Sequence, residues 1–482
     1  MPCISLNNIN FGYADAEMEL QRTPEIFDNA FFDPKSYLND LLNGPAFLLL
    51  GRKGSGKTAY SAKIRRMAQS DKYIIARPSS LTKFDYTMFE SFAGKKGVIG
   101  GRRFMSTWTY LLLVEIVKLV RDNVVSCENE RISALINALE EHGILSSEDI
   151  VHSANFIKKR GVELSIDASI ASVKGQRSTE ETIVINDMDE ISELMTSCLS
   201  ELYFGDISHY LLIDGLDDAL RCECFASDVI MGLVRASQDI NRIMFTSSLK
   251  MKIVILLRTD IWDKCKDPDK NKITRDESIN LLWDIPSLDN IVLKRIQQYY
   301  PDLDKTEEMW KYLFRGTYLE IDIVKCLYQH TLLRPRDILA FMIECKNANP
   351  ILPITESDMR RIVSRYSMNY FIREMEDELT GFTSDINISH LITTMSRLKH
   401  KEFWVNKFIE LMRNYVDIDQ YEAMELLEYL FAAGYIGQYR ENCSNGRSFI
   451  VHKYINLLEK FQIEDKCCIH RGLRKALSIS EW

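Results

Sequence analysis

The chain has 482 residues, enough for two to four domains at about 100–200 residues each. Hydrophobic residues are 46% and charged residues 27%, which excludes a disordered chain, and only 21 Gly and 11 Pro argue against a β-sandwich or a collagen-like repeat. Sixty Lys and Arg against 69 Asp and Glu give a net charge of −9, which disfavours broad nucleic-acid coating but leaves a local basic patch open.

The longest apolar runs, AFLLL at 46–50 and YLLLV at 110–114, fall far short of the roughly 18 residues a membrane span needs. No basic region with an apolar stretch follows Met1, so no secretory signal is expected, and the expected location is the cytoplasm. Eleven cysteines, an odd number scattered from Cys3 to Cys468, read as free thiols in a reducing compartment. Two clusters are candidate metal sites, Cys222 with Cys224, and His452 with Cys467, Cys468 and His470. Neither shows the paired ligands, two to four residues apart, of a structural zinc site.

Residues 1–45 are a polar flanking segment with an aromatic stretch, Pro24 to Pro34, expected to pack against the domain that follows. Ala46–Leu50 reads as a buried strand, 58–69 as a helix and Tyr73–Ala76 as a second strand. Phe104–Val120 has helical spacing, and 125–190 is a long polar insertion whose alternating segment Val162–Ala168 suggests a hairpin strand. Tyr210–Ile213 and Ile253–Leu257 read as buried strands separated by a helix over 225–240. Strands alternating with helices imply an α/β fold with a parallel sheet covered on both faces. From about 290 onward the chain reads helical until a strand-like pair near 435–451. The expected domains are therefore 46–295 for the α/β core, 296–380 for a helical lid, and 381–482 for a C-terminal domain.

Gly51-Arg-Lys-Gly-Ser-Gly-Lys-Thr58 fits G-x-x-x-x-G-K-[ST], with the strand before it and the helix after it that this loop requires. Gly51, Gly54 and Gly56 let the loop fold back so that its backbone N–H groups, Ser55 among them, face an anion at a helix N-terminus. Lys57 would reach the β- and γ-phosphates of a nucleoside triphosphate, and Thr58 would hold Mg²⁺.

Such a loop needs a second carboxylate at the end of a neighbouring buried strand. In His209-Tyr-Leu-Leu-Ile-Asp-Gly-Leu-Asp-Asp218 the apolar run ends at Asp214, the expected Mg²⁺ contact. Asp217 and Asp218 follow within reach of the γ-phosphate, where either could orient or deprotonate the attacking water. The third strand ends in Arg258 and Thr259, a place from which a polar side chain reads the γ-phosphate or the water; a surface salt bridge is the alternative. In Leu333-Arg-Pro-Arg-Asp-Ile-Leu339, Arg334 or Arg336 is a candidate reporter of nucleotide state, against an ordinary helix-start charge.

Leu211-Leu-Ile-Asp-Gly-Leu-Asp-Asp218 resembles the Walker B segment of STAND-class P-loop NTPases, which include the NACHT proteins. The whole chain is most similar to a group of bacterial STAND-like P-loop ATPases, in Phe27–Pro34, FLLLGRKGSGKT at 47–58, ILLRTDIW at 255–262, RPRDIL at 334–339 and RYSMNYFIREMEDEL at 365–379. The resemblance implies an ATPase core, a helical lid and a winged-helix C-terminal domain, with nucleotide state coupled to self-assembly or a protein effector. With no base-reading motif evident, the residues do not separate ATP from GTP; the resemblance implies ATP, and it suggests bacterial antiviral defence. Asp218 stands where the NACHT pattern has Glu, one methylene longer, which bears on turnover rather than binding. The long repeat array of large STAND proteins is absent from this chain.

In the C-terminal third, Glu422–Phe431 reads as a helix, 432–440 as a turn into a strand, 441–447 as a polar hairpin tip and Ser448–Lys453 as the return strand, the order of a winged helix. Residues 385–482 hold 13 basic and 13 acidic side chains, so a protein contact is favoured over DNA. The basic stretch Lys95-Lys-Gly-Val-Ile-Gly-Gly-Arg-Arg103 could touch a polyanion or be a solvated loop. The expected function is an ATP-driven switch. A DNA-handling ATPase and a nucleotide-binding scaffold without turnover are the alternatives.

Overall fold

A computed structural model describes residues 5–13, 15–82, 84, 86, 100–123, 129–146, 149–167, 182–216, 226–380, 382–441 and 448–480. The chain divides into two compact units: Asp33–Leu281, and Met1–Phe32 together with Leu282–Trp482.

The first unit is an α/β domain around five parallel strands: β1 (Leu48–Gly51), β2 (Ile74–Ser80), β5 (Ser208–Asp214), β6 (Met251–Arg258) and β7 (Ser278–Asn280), in the order β2-β5-β6-β1-β7. Parallel neighbours need crossover connections, and helices such as Lys57–Ser70, Met105–Asn123 and Ala226–Thr246 supply them. β1 is buried along its whole length and β5 and β6 nearly so, which is why each appears in the sequence as an unbroken apolar run. Beside the sheet, Trp108 is fully buried, stacks on Phe84 and donates its indole N–H to the Val229 carbonyl at 2.9 Å.

The described residues of the 125–190 insertion are folded rather than merely polar. They form helices Glu130–Glu141 and Ile150–Arg160 and an antiparallel pair of β3 (Leu164–Asp167) with β4 (Thr182–Ile185). Ile132, Leu135, Leu139, Ile150, Leu164 and Ile166 join the same apolar core as the sheet. Under it lies a buried polar cluster. Lys118 Nζ donates to Glu115 at 2.7 Å and to Ser153 at 2.8 Å, and Arg77 Nε donates to the other Glu115 oxygen at 3.1 Å. Each buried charge thus has a partner, the condition under which burial is tolerated.

The second unit corrects the reading of the N-terminus. Residues 1–32 belong with 282–482, not with the α/β domain that follows them in sequence. Leu6, Ile9 and Phe11 are buried in one core with Leu288, Ile291 and Ile296. Glu19, 2% exposed, forms a buried ion pair with Arg295, and Lys346 Nζ donates to the Ile9 carbonyl at 2.8 Å. For the same reason the boundary falls at Leu281 rather than near 295: the helix Ile285–Gln297 supplies the apolar face those N-terminal residues need.

After two very short strands, β8 (Thr317–Tyr318) and β9 (Ile321–Asp322), the unit is helical to residue 397, including a π-helical turn at Ser367–Phe371. It ends in a four-stranded antiparallel sheet, order β10-β13-β11-β12, from β10 (Glu402–Trp404), β11 (Ile436–Glu441), β12 (Ser448–Val451) and β13 (Lys466–Ile469). The expected strand pair is β11 with β12, and its tip at 442–447 lies outside the described residues. The short β10 and β13 had no legible pattern in the sequence. Helices Asp385–Arg397, Val405–Arg413 and Gln420–Ala433 precede β11, the last ending at Gly434 in a left-handed cap.

Candidate functional site

β1 runs out at Gly51, and the next five residues turn back into the helix Lys57–Ser70. Gly54 and Gly56 have φ of +76° and +95°, a region that side chains with a Cβ avoid. At Gly51 the constraint is steric: a Cβ would lie 2.3 Å from the hydroxyl of the buried Ser55. Ser55 N–H donates to the Arg52 carbonyl at 3.1 Å, which closes the turn. Lys57 folds over the loop and donates to the carbonyls of Gly51 at 3.0 Å and Arg52 at 3.2 Å. The helix behind the loop is anchored by Tyr60, whose hydroxyl donates to Asp33 at 2.9 Å; Asp33 also accepts the N–H groups of Tyr37 and Leu38. Burial first, and the Asp33 charge second, push the Tyr60 phenol well above its ordinary range, so it stays a donor. Asp33 lies within the Phe27–Pro34 segment, and its anchoring role was not read from the sequence.

Thr58 Oγ1 donates to Asp214 Oδ2 at 3.0 Å, and the Gly215 N–H donates to Asp214 Oδ1 at 2.7 Å. Lys57, Thr58 and Asp214 are therefore brought to one place. The strand carrying Asp214 is not the neighbour of β1, as the sequence led us to expect. β6 lies between them, with Gly51 opposite Arg258 and Ile213 opposite Ile255. Chain order does not give spatial order in a sheet with long crossovers, and the first turn of the helix spans the gap. Asp217 and Asp218 lie outside the described residues, as do Lys95, Lys96, Cys222 and Cys224.

Arg258 is 7% exposed at the end of β6. Its guanidinium forms a fork with Asp260, Nε to Oδ1 at 2.9 Å and Nη2 to Oδ2 at 2.7 Å. Burial alone would raise the Asp260 carboxyl, but Arg258 and the charge of Lys57 hold it below the usual carboxylate range. Arg258 is thus engaged by a carboxylate rather than standing open to the loop. Asp260 is the residue the sequence reading passed over; the signal was the Arg-x-Asp spacing at a strand end.

Arg336 belongs to the second unit, where it pairs with Glu374 at 3.0 Å. Arg334, the other candidate reporter, is 2% exposed and held by Asp337 and Glu378, each at 2.8 Å, so its charge serves the packing of that unit. Arg102 and Arg103 lie in a short 3-10 segment, Gly100–Phe104, with Arg103 over the Phe104 ring. Cys467 and Cys468 are buried in β13, and the His470 ring lies 3.1 Å from the Tyr454 hydroxyl. Among the described residues no group of three or more His, Cys, Asp or Glu could hold a metal ion, and no helix is long and apolar enough to cross a membrane.

Chemically, the loop fits a polyphosphate: a narrow glycine turn, one ammonium now resting on its own loop's carbonyls, and a helix start. The Thr58 hydroxyl beside the Asp214 carboxylate is a pair of hard oxygen donors, the kind Mg²⁺ takes alongside phosphate oxygens.

Residues 286–372 match the family described as the FunZ-associated C-terminal helical domain. The chain is 23% identical over 344 residues to the putative transposon gamma-delta 80.3 kDa protein of Escherichia coli K12, a match covering 69% of this chain and 46% of that protein. It thus spans about half the length of the curated relative it matches. Among solved structures, Cdc6p from Pyrobaculum aerophilum aligns over 97% of this chain and 95% of its own, at 12% identity and a TM-score of 0.30. The Drosophila ORC bound to DNA aligns over 95% and 87%, at 11% identity and a TM-score of 0.28. The parallel sheet with a phosphate loop between its first strand and first crossover helix is the P-loop architecture.

Proposed function

We propose that this protein is an ATP-binding and ATP-hydrolysing switch that couples nucleotide state to self-assembly or to a protein effector. The observation that carries this reading is the 3.0 Å contact between Thr58 and Asp214, side by side with Lys57 on the glycine loop. Lys57 would exchange the carbonyls of Gly51 and Arg52 for phosphate oxygens, and the loop's N–H groups would hold the β-phosphate. Mg²⁺ held by Thr58 and Asp214 would neutralise charge on the phosphate oxygens. Asp217 and Asp218 are the carboxylates to orient the attacking water. Arg258 would read the terminal phosphate. Arg336 would report the nucleotide state, a role that requires it to leave Glu374. The match at 286–372 supports a helical domain following the core, and bacterial antiviral defence is the setting that the STAND-like resemblance suggests.

The C-terminal part supports a protein partner. Its order of helix, strand, two helices and strand pair fits the winged-helix reading, with β13 inserted between β10 and β11. In a winged helix that reads DNA, the helix just before the wing carries the contacts. Here that helix, Gln420–Ala433, exposes Tyr421, Glu422, Glu425 and Glu428 and carries no Lys or Arg, a face repelled by phosphate.

The test is twofold. Hydrolysis should be measured for the wild type and for Asp217→Asn and Asp218→Asn; loss of turnover with ATP binding retained supports the switch, and a wild type that binds no ATP with Mg²⁺ ends the reading. Particle mass with and without ATP and Mg²⁺ then separates self-assembly from effector docking. A DNA-handling ATPase is the second reading, favoured by the transposon origin printed for the Escherichia coli relative. Salt-dependent duplex binding that weakens when Lys95, Lys96, Arg102 and Arg103 are neutralised would select it.

A further inference from the structure

We propose that Asp260 is a positioning residue that competes with the terminal phosphate of a bound nucleotide for Arg258, and that this competition sets the preference between triphosphate and diphosphate. The proposal rests on the nucleotide reading above and adds to it a residue with a role of its own.

Arg258 is paired in register with Gly51, the residue at which the phosphate loop begins, so the strand end that carries it lies beside the start of the loop. An arginine that is 7% exposed keeps its charge buried only with a partner of matching geometry. Asp260 supplies that geometry with both oxygens, at 2.9 and 2.7 Å. A phosphate presents the same fork of oxygens to an arginine, with more charge. The two acceptors are therefore chemically interchangeable at Arg258, and only one can fill the fork.

Three further observations point the same way. The Asp260 side chain is 34% exposed while that of Arg258 is 8% exposed, so the carboxylate has water available to it if displaced, whereas the arginine has little. The charge of Lys57 is felt at Asp260, which places the pair within the electrostatic reach of the loop lysine. Between the two, the Thr259 hydroxyl oxygen is sealed from solvent and has no partner among the described residues, a polar group left unmatched at this strand end.

The charge balance gives the pair its consequence. Lys57 and Arg258 contribute two positive charges, Asp214 and Asp260 two negative ones, so these four groups sum to zero. A pocket for a polyanion gains from each uncompensated cation, and Asp260 withholds one until a phosphate reaches far enough to take it. The γ-phosphate is the group a triphosphate has and a diphosphate lacks. Asp260 thus lowers affinity for the triphosphate, which must displace it from Arg258, and leaves the diphosphate, which does not reach the fork, nearly unaffected. A ligand shifts an equilibrium only by its differential interaction with the two arrangements, and here the difference is the Arg258 fork.

The experiment is calorimetric titration of the full chain with Mg²⁺ and either ADP or a non-hydrolysable ATP analogue, for the wild type, Asp260→Asn, Arg258→Gln and the double variant. Asp260→Asn should bind the analogue about tenfold more tightly and ADP within about twofold of wild type. In the Arg258→Gln background the same change at Asp260 should have no effect beyond about twofold, because there is nothing left to release. Asp260→Ser, a residue tolerated in a first helical turn, carries the same expectation should the Asn variant fail to fold, and Asp260→Glu should restore wild-type selectivity. Equal shifts for ADP and the analogue, or a shift that survives Arg258→Gln, would overturn the proposal while leaving nucleotide binding intact. A wild type that binds neither nucleotide would overturn the underlying reading and this proposal with it.

Discussion

Thr58 Oγ1 and Asp214 Oδ2, 156 positions apart in sequence, lie 3.0 Å from one another, and their contact closes the proposed cation position between the phosphate-loop helix and the end of β5. The geometry separates two kinds of contribution. Asp214→Asn keeps an acceptor for Thr58 and removes the charge a divalent cation needs. ATP affinity in Mg²⁺ should fall about tenfold or more, while affinity measured in EDTA should stay within about twofold of wild type. Equal losses with and without the metal would place Asp214 outside the cation site.

Lys57 donates to the carbonyls of Gly51 and Arg52, groups that water satisfies readily when the ammonium is removed. Lys57→Ala should therefore leave the melting temperature nearly unchanged and reduce ATP affinity by about 10- to 100-fold, the scale of charge-assisted bonds to phosphate. A large loss of stability in the nucleotide-free protein would show instead that the lysine holds the loop together.

Glu19 and Arg295 are a buried ion pair, 2% and 6% exposed, linking the first 32 residues to the rest of the second unit. Glu19→Ala should destabilise that unit by about 3–5 kcal/mol, because Arg295 is left charged and unpaired. Glu19→Leu combined with Arg295→Met should lose far less, since no buried charge remains. Urea denaturation of the three proteins makes the comparison, and equal losses for the single and double changes would rule out the ion-pair account.

His452 is half-buried near the charge of Arg474, and desolvation first, with the arginine's charge second, lowers its pKa to about 4 from an ordinary 6.5. In the unfolded chain the imidazole takes a proton as pH falls through about 6.5, while the folded chain resists until about 4. The unfolded state therefore binds more protons across that window. The stability that His452 contributes is full above pH 6.5 and declines toward pH 4, with a slope approaching about 1.4 kcal/mol per pH unit. His452→Gln should flatten the profile in this window. An unchanged slope would assign acid sensitivity to other groups.

The phosphate loop was readable because everything it needs lies within eight consecutive positions, Gly51 to Thr58, and is enforced by local backbone sterics. The strands β1, β5 and β6 were readable for a related reason: burial on both faces leaves an apolar run that needs no partner to be recognised. Asp214 could be located as the acid ending such a run, although its distance from the loop could not.

What tertiary structure alone decided are the pairings between distant residues, which depend on global packing rather than local preference. β6 inserted itself between β1 and β5, and so brought Arg258 beside Gly51. Leu6, Ile9 and Phe11 found their apolar partners almost 280 or more positions away and drew the N-terminal segment into the second unit. Short strands such as β10 and β13 carry too few residues to show a period, and exist because a neighbouring strand completes their hydrogen bonds, β13 for β10 and β11 for β13. Local sterics can be read along a chain; the choice of partner is made only when the whole core closes.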